Sequence, residues 1–117
     1  MSKSYETLLT ANHNEHIMLV TINRPEVANA FNTQMAIELV DLFENLAMHP
    51  TQVRAIVITG AGERAFCAGG DLKERNGMSD EAWQAQHLVY ERMVRAIIGC
   101  PIPIIGKHSN ISSSFFI

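Results

Sequence analysis

The sequence predicts an α/β fold built on a parallel or mixed sheet. Short β-branched strands alternate with two long stretches of helical periodicity, the order expected when helices pack on a sheet. The strand at residues 53–59 (VRAIVIT) is a nearly continuous apolar run, as in strands that are covered on both faces. The 117 residues suffice for one small domain that buries roughly two-thirds of the surface of its unfolded chain.

The chain begins with a predicted hairpin. Strands are expected at Tyr5–Leu9 and Ile17–Ile22, and the polar residues 11–16 (ANHNEH) between them are typical of a turn. Pro25 follows the second strand and ends it, because proline cannot donate a hydrogen bond to a ladder.

Two helices are predicted, each with a polar N-cap. Asn32 caps the first helix and Pro50 follows its end. Ser79 caps the second, with Asp80 in its first turn and Gly99 near its end. The apolar positions at helical spacing are Met35, Leu39, Leu42, Phe43 and Leu46 in the first helix, and Trp83, Tyr90, Met93, Val94 and Ile97 in the second.

The remaining segments are a small-residue loop, a last strand and a tail. Residues 65–72 (AFCAGGDL) favour neither strand nor helix, and their small side chains allow a backbone to approach a ligand closely. Residues 101–105 (PIPII) begin another apolar strand. Residues 106–117 have no periodicity and end in three apolar residues. We therefore predict a domain at 1–105 and a disordered tail at 106–117, with the last strand as an exposed edge that promotes aggregation.

Composition excludes several classes of function. The formal charge is −3, from 9 Lys and Arg against 12 Asp and Glu, which disfavours nucleic-acid binding. The two cysteines form no metal-ligand pattern, and His13 and His16 lack further ligands nearby, so no metal site is expected. No segment has the roughly 20 apolar residues that cross a bilayer, and the N-terminus does not look like a signal peptide. These features predict a cytoplasmic protein with free thiols and without a membrane partner.

Three ordered stretches carry a family resemblance over about residues 5–105. They are residues 21–32 (TINRPEVANAFN), residues 54–60 followed by 65–72 (RAIVITG and AFCAGGDL), and residues 101–105 (PIPII). Together they resemble the signatures of the enoyl-CoA hydratase/isomerase (crotonase) family. The resemblance implies a crotonase-like spiral of ββα units, here truncated after about the third strand-helix unit. It also implies that full-length relatives form trimers or hexamers.

The family resemblance implies an acyl-CoA substrate and a backbone oxyanion hole. The N–H of Gly70 corresponds to the first oxyanion donor, where many relatives carry alanine. Coenzyme A is part of the substrate, so no separate cofactor is expected. The substrate-binding residues implied by the two loops at 24–30 and 68–72 and by their neighbour Lys73 are Arg24, Ala28, Ala68, Gly70, Asp71, Leu72 and Lys73.

Several of these side chains also have a purely structural interpretation. Arg24 and Lys73, taken as neighbours of the coenzyme A phosphates, are equally typical of solvated surface charges. Asp71 and Glu74, beside the oxyanion loop, are typical of loop caps or a surface salt bridge. His87 and Glu91 lie on the second helix, from which some relatives recruit an acid or base, and are otherwise surface residues.

The expected reaction is hydration or isomerisation of a 2-enoyl-CoA through an oxyanion-stabilised enolate, as in a lyase or an isomerase. In the family the second oxyanion donor follows the Pro-x-Pro strand, where this chain reads GKHSN at 106–110, and the catalytic glutamates lie further on. The chain is therefore expected to be truncated and inactive alone. One alternative is a non-catalytic CoA-binding or regulatory fragment that docks on full-length relatives. Another is RNA binding through residues 72–75, which the acidic balance disfavours.

Overall fold

The fold is a mixed five-stranded sheet with its strands in sequence order. A computed structural model describes residues 4–49, 52–62 and 70–107, and the backbone of residues 114–116. Three helices accompany the sheet. The strands are β1 (Leu8–Asn14), β2 (Ile17–Ile22), β3 (Ala55–Gly60), β4 (Ile104–Lys107) and β5 (Ser114–Phe116), and the helices are α1 (Thr33–Met48), α2 (Leu72–Asn76) and α3 (Asp80–Ile98).

Strand directions confirm the predicted mixed sheet. β1 and β2 form an antiparallel hairpin, β2, β3 and β4 run parallel, and β5 returns antiparallel to β4. Ile22 lies opposite Gly60, and Thr59 lies opposite Lys107. The carboxyl ends of the three parallel strands therefore share one edge of the sheet, which is where ligands bind in many open α/β sheets.

Both predicted N-caps are confirmed. The side-chain oxygen of Asn32 accepts a hydrogen bond of 2.9 Å from the N–H of Met35, and that of Ser79 accepts one of 3.1 Å from the N–H of Ala82. Each oxygen satisfies a backbone donor that the first turn of a helix leaves without an intrahelical partner. The starts of α1 and α3 are thus encoded locally.

The hydrophobic core lies between one face of the sheet and α1, with α3 packed against α1. Side chains from β1 to β4 meet the apolar stripe of α1, and Phe43 at its centre is fully buried. Residues along β3 alternate between buried and half-buried. The expectation that β3 is covered on both faces is therefore wrong for the described residues, because the helices cover only one face. The core residues are Leu8, Val20, Ile22, Met35, Leu39, Leu42, Phe43, Leu46, Ile56, Ile58 and Ile104.

The first strand of the hairpin extends into the polar residues that were predicted to form its turn. β1 runs from Leu8 to Asn14, so its strand starts later than predicted and includes most of the supposed turn. The turn itself is residues 15–16, where the side chain of Asn14 accepts hydrogen bonds from the N–H groups of His16 and Ile17. Polar residues are tolerated in β1 because it is an edge strand with most of its side chains in water.

The prediction of which α3 residues are buried is partly wrong. Val94 is 47% exposed, and the buried residue of this helix is Gln86. Val94 follows Met93 by one residue, a rotation of about 100° that turns it away from α1. The short helix α2, which begins within the small-residue stretch, was not predicted, because five residues carry too little periodicity to recognise.

The last strands modify the expected tail. β4 extends to Lys107, and Ile105 pairs with Phe116 of β5. The prediction that β4 is an unpaired edge is therefore wrong, and Gly106 and Lys107 belong to the sheet. Residues 108–113 and 117 lie outside the described residues, and the division of the chain at 105 stays a prediction.

Candidate functional site at the carboxyl edge of the sheet

Two loops leave the carboxyl ends of β2 and β3 side by side. The N–H of Ala61 donates a 2.8 Å hydrogen bond to the carbonyl of Ile22, so the loops begin in contact. The first loop occupies residues 23–32 and the second residues 61–71, of which 63–69 lie outside the described residues. The sequence predicted ligand loops at 24–30 and 68–72, which belong to these two segments.

The first loop turns through two consecutive left-handed residues after a 3₁₀ turn at Pro25–Val27. Ala28 has a φ of 53° and Asn29 a φ of 59°. Asparagine tolerates this region, but alanine in it costs on the order of 1–2 kcal/mol. Asn29 is fully buried: its Oδ1 accepts from the N–H of Arg24 at 2.9 Å, and its Nδ2 donates to the carbonyl of Ala61 at 2.9 Å. Asn29 thus holds the strained turn and joins it to the second loop.

Arg24 and Asp71 form a second connection between the loops. Arg24 Nη2 lies 3.1 Å from Asp71 Oδ2, and the two side chains are only 16% and 15% exposed. Nη1 of the same guanidinium donates to the carbonyl of Ala30 at 2.6 Å. Arg24 is therefore a bridging residue and not a solvated surface charge, while its contact with a coenzyme A phosphate stays a prediction.

Asp71 also caps α2, as its structural interpretation anticipated. Its Oδ1 accepts hydrogen bonds from the N–H groups of Lys73 at 3.0 Å and Glu74 at 3.2 Å. The bond from the Glu74 N–H, followed by that from Arg24, holds the pKa of the Asp71 carboxyl below its usual range. The ionised carboxylate thus fixes the start of α2 immediately after Gly70.

The backbone at Gly70 is held by pairing with the first loop. Phe31 and Gly70 form an isolated parallel bridge, in which the N–H of Asp71 donates to the carbonyl of Phe31 at 2.8 Å. Successive N–H groups of an extended segment point to opposite sides, so the Gly70 N–H is directed away from Phe31. A Cβ added at Gly70 would meet no atom within 4 Å among the described residues, so alanine fits at this position.

Glu74 joins α2 to the other two helices. Its Oε1 accepts from the N–H and the Oγ1 of Thr33, each at 3.0 Å, and from Nε2 of Gln86 at 2.8 Å. Nε2 of Gln86 also donates to Thr33 Oγ1 at 2.8 Å. The carboxylate of Glu74 therefore serves as an additional N-terminal cap for α1, contributed by a neighbouring helix.

The remaining predicted site residues lie on exposed positions of α2 and α3 or outside the described residues. Leu72 and Lys73 are exposed on the first turn of α2, and Ala68 lies outside the described residues. His87 and Glu91 are exposed on α3: His87 packs on Trp83 with ring centroids 4.2 Å apart, and Glu91 pairs with Arg95. Both are therefore surface residues, as their structural interpretation predicted.

Four residues of the site were missed by sequence reasoning: Asn29, Phe31, Thr33 and Gln86. Phe31 and Thr33 flank a predicted N-cap, and helix starts adjoin ligand loops in many α/β proteins. Gln86 offered a clearer signal, because it lies in register with Trp83 and Tyr90 on the half-buried stripe of α3. A polar residue within such a stripe is an informative exception to the usual pattern of burial.

Neither metal nor membrane features were found in the part of the chain that the structure describes. No group of three His, Cys, Asp or Glu side chains there is arranged to hold a metal ion. No helix there is long and apolar enough to cross a bilayer.

Comparison with known proteins decides the family. Residues 12–109 match the sequence model of the enoyl-CoA hydratase/isomerase family. The chain belongs to this family. A Bacillus subtilis (strain 168) protein named as the enoyl-CoA hydratase/isomerase YngF is 33% identical over 101 residues, which cover 86% of this chain and 38% of that protein.

Two solved structures share the fold. Enoyl-CoA hydratase from Bacillus anthracis superposes with a TM-score of 0.79 at 29% identity, covering 86% of this chain and 39% of that one. DspI from Pseudomonas aeruginosa gives a TM-score of 0.82 at 25% identity, covering 93% and 44%. The crotonase-like fold is thereby confirmed. The chain spans about two-fifths of the length of these relatives.

Proposed function

We propose that the loops at the carboxyl edge bind an acyl-CoA thioester and that the Gly70 N–H donates to its carbonyl oxygen. The reaction served is hydration or isomerisation of a 2-enoyl-CoA, in which negative charge develops on that oxygen. The supporting observation is the pairing of Asp71 with Phe31, which directs the Gly70 N–H away from the first loop. A preorganised backbone donor of this kind is typically worth about 100- to 1000-fold in rate.

The coenzyme A moiety is assigned to the same edge. Ala28 lies in a strained left-handed turn, and strained backbone conformations cluster at ligand-binding loops. Lys73 is exposed next to Asp71 and can reach a phosphate, whereas the Arg24 guanidinium already binds Asp71 and the Ala30 carbonyl. In this proposal Lys73 contacts phosphate and Arg24 chiefly shapes the loop.

The 117-residue chain is expected to bind substrate without measurable hydration. Hydration needs one group to activate water and another to supply a proton, together with a second oxyanion donor. Loss of the ultraviolet absorbance of a short enoyl-CoA reports the rate. A turnover within tenfold of the enzyme median of about 10 per second would contradict this expectation. Binding without turnover also fits the alternative, a non-catalytic CoA-binding chain.

Gly70→Pro tests the proposed donor because proline has no N–H. We expect this variant to lose about tenfold in affinity for acyl-CoA while its affinity for free CoA changes less than twofold, since only the thioester offers the carbonyl. Gly70→Ala is the matched control: it keeps the N–H, and its methyl group meets open space. Calorimetry with both ligands measures the affinities, which for the unmutated chain should be about millimolar.

Two results would count against the proposed donor. Equal losses of acyl-CoA and free-CoA affinity in Gly70→Pro would mean that the loop has collapsed and that no specific contact was removed. Absence of acyl-CoA binding by the unmutated chain, at concentrations well above about 1 mM, would overturn the assignment of this edge as a thioester site.

A further inference from the structure

We propose that Gln86 is a positioning residue for the Gly70 N–H and that it acts through Glu74. The inference rests on the proposed function of Gly70 and adds a residue of α3 to the machinery around it. The observation that carries it is the closed set of hydrogen bonds among Thr33, Glu74 and Gln86. Among the described residues, the side-chain hydrogen bonds of Gln86 go to Thr33 and Glu74, so we assign its influence on Gly70 to Glu74.

Glu74 helps to position the oxyanion segment because α2 is too short to hold its place without anchors. The helix has five residues, and the N–H of Arg75 donates to the carbonyl of Asp71 at 3.1 Å. A helix of this length is not stable by itself and takes its position from its anchors. Its anchors are Asp71 before its first residue, bound to Arg24 and Phe31, and Glu74 at its centre, bound to Thr33 and Gln86.

Gln86 fixes the side chain of Glu74, whereas Asp71 holds its backbone N–H. Without the Gln86 amide, the Glu74 carboxylate keeps Thr33 among its described partners, and its rotation would let α2 shift relative to α1 and α3. Because Gly70 directly precedes Asp71, such a motion would misdirect the Gly70 N–H without unfolding the sheet. Misplacement of about 1 Å at a reacting group can cost about 100-fold in rate.

The placement of α3 supports a bracing role. Gln86 is 8% exposed and is the buried residue of a helix of 19 residues. Tyr90, one turn further along the same face, meets the ring of Phe31 edge-on at 5.3 Å and 83°. α3 therefore contacts both sides of the Gly70–Phe31 bridge. Gln86 donates a hydrogen bond to Glu74, which follows Gly70 in the chain, and Tyr90 contacts the ring of Phe31.

Hydrogen–deuterium exchange of the Asp71 amide tests the positioning directly and needs no ligand. In Gln86→Ala we expect this amide, which donates to Phe31, to exchange about tenfold faster while amides in the middle of α1 keep their rates. Gln84→Ala is the matched control, because Gln84 is an exposed residue of the same type on the same helix. The exchanged pair Glu74→Gln with Gln86→Glu can re-form an amide–carboxylate bond and should restore slow exchange.

A ligand measurement separates this inference from the proposed function. Gln86→Ala should lower the ratio of acyl-CoA to free-CoA affinity by about tenfold and leave the melting temperature within a few degrees. Unchanged Asp71 exchange in Gln86→Ala, an equal effect of Gln84→Ala, or no restoration by the exchanged pair would overturn the coupling. If faster exchange occurs but the unmutated chain does not prefer acyl-CoA, the thioester function fails, and Gln86 orders a segment without that role.

Discussion

Replacing Phe43 with alanine is expected to lower the free energy of unfolding by about 3–5 kcal/mol. Phe43 is fully buried between α1 and the sheet, where it packs within the core cluster, and its removal leaves a cavity that the surrounding strands cannot fill. A domain of this size has a total stability of only about 5–15 kcal/mol. The variant should therefore be largely unfolded under mild denaturing conditions. Urea denaturation followed by circular dichroism gives the difference in free energy.

Met48→Ala is the matched control for this prediction. Met48 lies on the same helix and is 73% exposed, so its truncation should change the free energy of unfolding by less than about 0.5 kcal/mol. A loss for Phe43→Ala as small as that of the control would mean that the face between α1 and the sheet does not stabilise the fold. The site would be affected too, because that face positions the carboxyl ends of β2 and β3.

Features encoded by neighbouring residues were predictable from the sequence. The caps Asn32 and Ser79 act on N–H groups three residues away, so their chemistry can be read from short segments. The strand β2 was predicted with correct bounds because its β-branched run ends at a segment that contains Pro25. The motifs that carry the family resemblance lie in the loops at the carboxyl edge, and the ligand contacts assigned to them stay predictions.

Features that depend on packing were not predictable. The run at 53–59 is apolar at nearly every position, yet in β3 only alternate residues are buried, because which faces of a strand are covered depends on the rest of the fold. The bond between Glu74 and Gln86 joins residues 12 apart, and that between Glu74 and Thr33 joins residues 41 apart. Periodicity describes a single element and carries no information about such pairs between elements.

Removal of Arg24 is the remaining large effect that we expect. Arg24→Ala deletes the hydrogen bonds to Asp71 and to the Ala30 carbonyl, and hydrogen bonds to charged groups contribute about 1.5–3 kcal/mol each. We expect the free energy of unfolding to fall by about 3 kcal/mol at pH 7, the lower end of the sum for two such bonds, because both side chains are partly exposed. The loss removes one of the connections between the two loops, so binding of acyl-CoA and of free CoA should weaken together, unlike the selective loss in Gly70→Pro.

The pH dependence of the Arg24→Ala penalty distinguishes the ion pair from general packing. The folded pKa of Asp71 is lowered, first by the Glu74 N–H and then by Arg24, so its contribution is full above the unfolded pKa of about 3.9 and disappears as the pH falls through the lower folded value. The difference in stability between Arg24→Ala and the unmutated chain should therefore shrink in acid. Arg54→Ala, which removes an exposed arginine before β3, should show neither effect. A penalty that stays constant between pH 7 and pH 2 would mean that Arg24 stabilises the loops through its bond to the Ala30 carbonyl or its aliphatic packing, not through Asp71.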